Sequence, residues 1–270
     1  MDQDAGSGGR FDVVSPDGTS IAVWVEGRGP ALVLVHGSIA DHTTFDPFVA
    51  VLGQQVTTFS MDRRGFGASE DQRLYAVERE FDDVAAVVEA VARRTVGRVA
   101  LWGHSYGANC AMGGAARTDQ VRHLILYEPS LGLRYEPGVI DRIEAAVDAG
   151  DPEMAIVTVL REVLELSEDD IDQMKSGPIW PVRLAAAPTV PRECRAEEDW
   201  VYRPGQFESI TAATLFLGGS ESVPTMVEAT RLAMAAVPNA QLRVLPGHAH
   251  MAHKTDPQLV TNIVMEFCAR

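Results

Sequence analysis

Short apolar runs recur along this chain with helical patterns between them, and that alternation narrows the fold more than any other feature. The runs are Ala31–Val35, Val56–Ser60, Arg98–Trp102, Leu124–Tyr127, Thr214–Leu217 and Leu242–Leu245. A strand with one wet face alternates polar and apolar residues, whereas a strand covered on both faces reads as a continuous apolar run. Between the runs, Phe81, Val84, Val87, Val88 and Val91 keep a helical spacing, as do Met226, Ala229, Leu232, Ala233 and Ala236. A last helix opens at Asp256-Pro257 and presents Leu259, Val260, Ile263, Val264 and Phe267, with proline in a first turn that tolerates it. Ahead of the runs, Phe11–Val14, a Ser15-Pro16-Asp17-Gly18 turn and Ile21–Val25 read as a β-hairpin. Strands alternating with helices imply an α/β fold, a mostly parallel sheet covered by helices on both faces.

The alternation stops between residues 130 and 208. That stretch offers helical patches around Val139–Ala149, Pro152–Leu166 and Glu168–Lys175, then a proline-rich segment. It reads as a helical cap inserted into a core of residues 11–129 and 209–270, over the C-terminal edge of the sheet. Residues 1–10 are polar and glycine-rich, which predicts a loose N-terminus with no signal peptide.

A chain of 270 residues with 46% hydrophobic and 23% charged residues can bury a large core. Its formal net charge of -15 argues against nucleic acid or an anionic membrane as a partner. Cys110, Cys194 and Cys268 are too widely spaced for a zinc site, and an odd count supports no disulfide framework. No apolar run approaches membrane-spanning length. These features make the cytoplasm the default location and a small molecule the expected partner. The oligomeric state, a homo-oligomer included, stays open.

Chemistry enters at Gly103-His104-Ser105-Tyr106-Gly107, between the run ending at Trp102 and a small-residue stretch from Ala108 to Ala116. A strand, a one-serine turn and a helix put the hydroxyl out of the end of the sheet beside unpaired helical N–H groups. Active sites of open α/β sheets lie beyond the carboxyl ends of the strands. There Val35 is followed by His36-Gly37-Ser38, Leu217 by Gly218-Gly219-Ser220-Glu221, and Leu245 by Pro246-Gly247-His248-Ala249-His250. A serine, an acid and a histidine thus end different strands, in the order Ser105, Glu221, His250.

Taken together, VLVHGS, SMDRRGFGAS, LWGHSYGAN, LFLGGSESVP and LPGHAHMAHKTDP resemble the α/β-hydrolase superfamily from Phe11 onward. The resemblance implies an eight-stranded, mostly parallel sheet with a helical cap after the sixth strand. It also implies a nucleophile, Ser105, a base, His250, and an oxyanion hole from the backbone N–H groups of Ser38 and Tyr106. His250 fits the family's Pro-Gly-x-x-His pattern seven residues before Pro257, and is preferred over His248. Glu221 is preferred as the acid. Its rival is Glu128 in Leu126-Tyr127-Glu128-Pro129, because some relatives carry the acid at the end of the sixth strand; otherwise Glu128 reads as a loop carboxylate anchoring the cap.

The remaining candidates have plainer readings. His36 and His104 are expected to hydrogen-bond within the turns they flank, and His253 to be solvated beside a helix. His42 and His123 carry no signal. The charged Asp62-Arg63-Arg64-Gly65-Phe66-Gly67 segment is expected to be a structural turn held by Asp62. In the cap, Trp180, Arg183 and Tyr202 are candidates to line a substrate pocket, with packing the alternative for the aromatic ones, Trp200 among them.

The resulting expectation is a serine hydrolase, free of cofactor and metal, that cleaves a carboxylic ester, thioester or lactone through an acyl-enzyme. Serine at position 105, where epoxide hydrolases and haloalkane dehalogenases of the superfamily carry aspartate, argues against those reactions. The absence of a secretion signal argues against an extracellular lipase. The motifs do not separate a perhydrolase, a C–C hydrolase, a cyclase or lyase, or a slow-turnover receptor on the same fold.

Overall fold

A computed structural model describes residues 9–269. Its strands are β1 (Gly9–Val14), β2 (Ser20–Gly27), β3 (Ala31–Val35), β4 (Thr57–Met61), β5 (Val99–His104), β6 (Val121–Tyr127), β7 (Ala213–Gly219) and β8 (Gln241–Leu245). They form one sheet in the order β1-β2-β4-β3-β5-β6-β7-β8. The hairpin β1/β2 and the pair β2/β4 are antiparallel, and every other pair is parallel. Val35 pairs with Gly103, Gly103 with Leu126, Tyr127 with Leu217 and Gly219 with Leu245. This register brings the segments after β3, β5, β6, β7 and β8 out along one edge.

The helices are α1 (Asp46–Leu52), α2 (Val77–Thr95), α3 (Tyr106–Ala115), α4 (Val139–Asp148), α5 (Pro152–Thr158), α6 (Glu168–Lys175), α7 (Trp180–Ala186), α8 (Val190–Asp199), α9 (Pro224–Ala235), α10 (Ala252–Thr255) and α11 (Pro257–Cys268). One face of the sheet is covered by α2 and α3, whose Phe81, Val84, Val88 and Met112 join Val33, Leu101 and Leu124 in a buried cluster. The other face is covered by α1 and α11, where Phe48, Leu52, Val260, Ile263 and Phe267 pack on Leu34, Trp102 and Leu217. The apolar spacing read along α2 and α11 is the spacing of their buried faces. Asp256 caps α11 by accepting the Leu259 N–H at 3.0 Å.

Between β6 and β7 the described chain has helices α4 to α8 and no strand. Their own apolar cluster, with Ile143, Ile156, Leu160, Trp180 and Val190, includes one residue of the loop after β3, Ile39. Asn109 of α3 anchors the entry to this segment, accepting the N–H groups of Ser130 and Leu131 and donating to the Ser130 hydroxyl.

The proline-rich stretch is helical too, because Pro181 and Pro191 fall in the first turns of α7 and α8, where no intrahelical N–H bond is lost. Two local expectations need correction. Gly9 and Arg10 belong to β1 rather than to a loose terminus, paired with Val25 and Trp24; the rest of that expected segment lies outside the described residues. The run at Leu242–Leu245 is a strand but not a doubly covered one. It is the sheet edge, and Leu242 and Val244 are 49% and 52% exposed. No described helix is long and apolar enough to cross a membrane.

Candidate active site

Ser105 joins β5 to α3 with φ 56° and ψ -127°, a backbone conformation that costs a non-glycine residue free energy and is held here by its surroundings. Its N–H donates to Tyr127 O at 2.8 Å. Close packing around the turn explains the flanking glycines. A Cβ on Gly107 would stand 2.2 Å from His36 O, and one on Gly37 would stand 2.9 Å from Ser105 Cβ. The loop after β3, with Ser38 in it, therefore lies directly against the serine turn. Tyr106 is the first residue of α3, so its N–H has no acceptor within the helix.

That loop is fixed by an imidazole. His36, fully buried, receives the Arg63 N–H on Nε2 at 3.0 Å and donates from Nδ1 to Gly37 O at 2.8 Å. Burial and the neighbouring Arg63 charge lower its pKa to about 4, which keeps Nε2 free to accept. The turn role expected for His36 is the one it plays, reaching as far as Arg63.

Asp62 holds its turn as expected. It accepts the N–H groups of His42 and Ala68, the Trp24 indole and the His42 ring. Burial pushes its pKa up, but these donors outweigh burial and hold it at about 2. His42, which carried no sequence signal, is thus a partner of Asp62, stacked on Trp24 with ring centroids 4.2 Å apart.

Arg63 and Arg64 are buried ions. Arg64 is paired with Asp83 and Asp17. Arg63 forms a two-pronged bond with Glu80 and a further bond with Glu193 of α8. Glu80 also accepts from the Tyr75 hydroxyl, which lies 2.5 Å from that of Tyr106. One buried cation therefore ties the Asp62 turn, α2, the residue after Ser105 and the helical segment together. No local signal points to Glu80 and Glu193, which stand 17 and 130 residues from Arg63.

The histidine and acid come together at the opposite side of the turn. His250 Nδ1 lies 2.6 Å from Glu128 Oε2. Glu128, at the end of β6 with φ 47°, also accepts the Gly219 N–H at 2.6 Å and the Ser222 hydroxyl on Oε1. Burial raises the pKa of this carboxyl, but the His250 ring, the Ser222 hydroxyl and the Gly219 N–H together hold it below its ordinary value. An ionised Glu128 accepts from Nδ1–H, which leaves Nε2 of a neutral imidazole as a base.

The histidine's partner is therefore Glu128 and not Glu221. Glu221 is exposed, and among the described residues its carboxylate accepts only from the adjacent Ser220 hydroxyl. Its backbone N–H bonds His248 O at 2.9 Å, so Glu221 helps hold the histidine loop while its side chain points elsewhere. Of the rival histidines, His248 is partly exposed, 3.9 Å from Asp256.

Neighbouring rings seat His250. His104 bonds His250 O through Nε2 at 2.8 Å, and the two rings lie 4.5 Å apart. The Tyr127 hydroxyl donates to Ala249 O and accepts the Ala252 N–H. His253, expected in solvent, is fully buried among Phe45, Trp102, His104 and Tyr127, and neither ring nitrogen has a hydrogen-bond partner among the described residues. Burial lowers its pKa far enough to keep it neutral.

The candidates in the helical segment separate. Trp180 and Arg183 are both buried on α7. Tyr202 stands with the sheet core instead, edge-on to Trp200 and Phe207, which is the packing alternative. A cleft of about 840 Å³ runs between α8 and the start of α2, lined by Tyr75, Glu144, Arg192, Arg195 and Trp200 among others; Ser105, Glu128 and His250 do not line it. Asp41, His42 and Asp62 lie close enough together to hold a cation, but their oxygens and ring nitrogen are already engaged with one another or with loop N–H groups.

Comparison with known proteins agrees with this architecture. Residues 32–263 match the model of the alpha/beta hydrolase family. The chain belongs to that family. It is 25% identical over 259 residues to 2-(acetamidomethylene)succinate hydrolase of Mesorhizobium japonicum, covering 90% of this chain and 89% of that one. Among solved structures it is similar to an alpha/beta hydrolase from Sphaerobacter thermophilus, with a TM-score of 0.82, 29% identity, and coverage of 96% of this chain and 100% of that chain. An enol-lactonase from Burkholderia xenovorans shares the fold with a TM-score of 0.76 and 18% identity, covering 96% and 100%.

Proposed function

We propose that this hydrolase cleaves a carboxylic ester, thioester or lactone of a small molecule through an acyl-enzyme on Ser105. The observation that carries the reading is the pairing of His250 Nδ1 with the buried Glu128 carboxylate, the His250 ring lying against that of His104, the residue before a serine held at φ 56°. A serine hydroxyl is a poor nucleophile until a base takes its proton. In this reading His250 Nε2 takes the Ser105 proton as Oγ attacks the carbonyl carbon, and Glu128 stabilises the imidazolium. The carbonyl electron pair moves onto oxygen, where the N–H groups of Ser38 and Tyr106 receive it. Collapse expels the leaving group, which takes the proton from His250. Water then repeats the sequence, freeing the acid and Ser105.

In this account the helical segment from α4 to α8 is a cap. Its apolar cluster reaches Ile39, next to Ser38, which puts it beside the proposed oxyanion loop.

Labelling with a fluorophosphonate followed by peptide mapping tests the nucleophile. The reading requires the adduct on Ser105. An adduct on another residue, or none on folded protein, overturns it.

A further inference from the structure

Ile39 holds a backbone conformation that its own side chain opposes. Its φ is 50°, in the left-handed region that glycine adopts freely and a β-branched residue adopts only under constraint. Among the described residues one other β-branched residue has positive φ, Val96, which closes α2 at φ 52° and is 91% exposed. A left-handed residue is a common way to end a helix. Ile39 ends none. It is buried, in a turn with Ser38 between β3 and Asp41. Turns with positive φ at the second central residue favour glycine there, so something outside the turn must hold an isoleucine in it.

The helical segment supplies the hold. Ile39 belongs to the apolar cluster of Ile143, Leu160, Trp180 and Val190, and every other member of that cluster lies within residues 135–194. On either side of Ile39 the loop is fixed to the core. Upstream, His36 receives the Arg63 N–H, and a Cβ on Gly37 would stand 2.9 Å from Ser105 Cβ and 3.3 Å from His104 Nδ1. Downstream, the His42 N–H donates to Asp62 at 2.9 Å. Ser38, the proposed oxyanion donor, therefore sits between an anchored stretch and a strained residue. Rotation about φ of Ile39 turns the Ser38–Ile39 peptide and shifts the Ser38 backbone against Ser105.

We propose that Ile39 is a positioning residue: the helical segment grips its side chain, keeps its backbone left-handed, and so aims the Ser38 N–H at the reacting carbonyl oxygen. This rests on the serine-hydrolase reading. It gives the helical segment a part in stabilising the transition state, which a cover over the substrate does not have.

The test separates backbone conformation from side-chain volume. Lost packing ranks replacements by size, Val above Ala above Gly. A lost left-handed conformation ranks Gly above Ala, because glycine keeps positive φ without a grip and alanine does not. Ile39→Val, Ile39→Ala and Ile39→Gly are compared with the wild type, each checked by its melting curve. One readout is kcat/KM on the best of p-nitrophenyl acetate, butyrate and octanoate. The other is inhibition by 1,1,1-trifluoroheptan-2-one relative to heptan-2-one. The fluorinated ketone adds Ser105 Oγ to its carbonyl carbon, the hydroxyl proton passing to His250 and the carbonyl pair to an oxyanion that needs the same donors. The parent ketone reports ground-state binding alone.

Ile39→Val should stay within about three-fold of wild type. Ile39→Ala should lose on the order of a hundred-fold in kcat/KM, as for a lost oxyanion donor. Ile39→Gly should lose about ten-fold less than that, the cost of the left-handed region to an L-residue. The fluorinated ketone should weaken by similar factors while heptan-2-one stays within about two-fold. If Ile39→Ala or Ile39→Gly does not fold, Ile39→Thr and Ile39→Asn replace them as a pair, asparagine being the one that tolerates positive φ. Ile39→Ala at or above Ile39→Gly, both within about two-fold of wild type, or a rate loss that spares the fluorinated ketone overturns the positioning role and leaves the serine-hydrolase reading standing. A wild type that hydrolyses none of the three esters and takes no fluorophosphonate on Ser105 removes that reading, and this role with it.

Discussion

Replacing Arg63 by methionine should destabilise the protein in a pH-dependent way. Arg63 is fully buried and bonds two carboxylates, Glu80 at 2.7 and 2.6 Å and Glu193 of α8. Methionine fills much of the volume and removes the charge, leaving two buried carboxyls, with the Tyr75 hydroxyl and Cys110 thiol donating to Glu80 and the Ser38 side chain to Glu193. Breaking a buried ion pair by removing one partner costs about 3–5 kcal/mol. At about 2–4 °C per kcal/mol for a chain approaching this size, the melting temperature should fall by ~6–20 °C.

The pH dependence follows from the carboxyls. Arg63 opposes the burial that would otherwise raise Glu80 and Glu193. Without it Glu80, now held below its ordinary value, should rise above it, and Glu193, already raised by burial, should rise further, so that stability is kept below the unfolded pKa, near 4.5, and lost as pH climbs through the folded values. Calorimetric melting of wild type and variant across pH 5 to 8 should show the gap widening with pH. A gap below about 1 kcal/mol, or one that is constant with pH, would refute the claim that this ion pair ties the α8 region to the core.

Another group gives a further test. Asp62, held at about 2 by its donors, contributes stability that is complete above its unfolded pKa, near 4, and lost as pH falls from there through about 2, on the order of 2–3 kcal/mol in all. Asp62→Asn should be less stable at neutral pH and should lose less on acidification, as followed by chemical denaturation at pH 2.5 to 7.

The sequence disclosed most where one local signal settled the matter. Ser105 was legible because a strand, two glycines and a helix leave the turn no other shape, and α2 and α11 because their apolar faces repeat along a single element. The acid was harder to place because carboxylates end both β6 and β7, neighbouring parallel strands, and spacing alone puts either within reach of a histidine after β8. What separates them is three-dimensional. Glu128 leaves β6 at positive φ and meets the Gly219 N–H, the Ser222 hydroxyl and His250, whereas Glu221 has only Ser220. His253 was misread for a similar reason, since the rings around it come from α1, β5, β6 and the loops they position. The exposure of β8 follows from its place at the end of the strand order, which an apolar run does not report.

The most direct test of the account is kcat/KM for Glu128→Gln and Glu221→Gln on one ester substrate, each variant checked for folding by its melting curve. Glutamine at 128 keeps the shape but cannot hold the imidazole in its productive tautomer or stabilise the imidazolium. A loss on the order of 10³–10⁴-fold is expected from comparable triad changes. Glu221→Gln should stay within a few-fold of wild type. A severe loss at Glu221 with activity retained at Glu128 would contradict the assignment of His250 and Glu128 as the base and its partner.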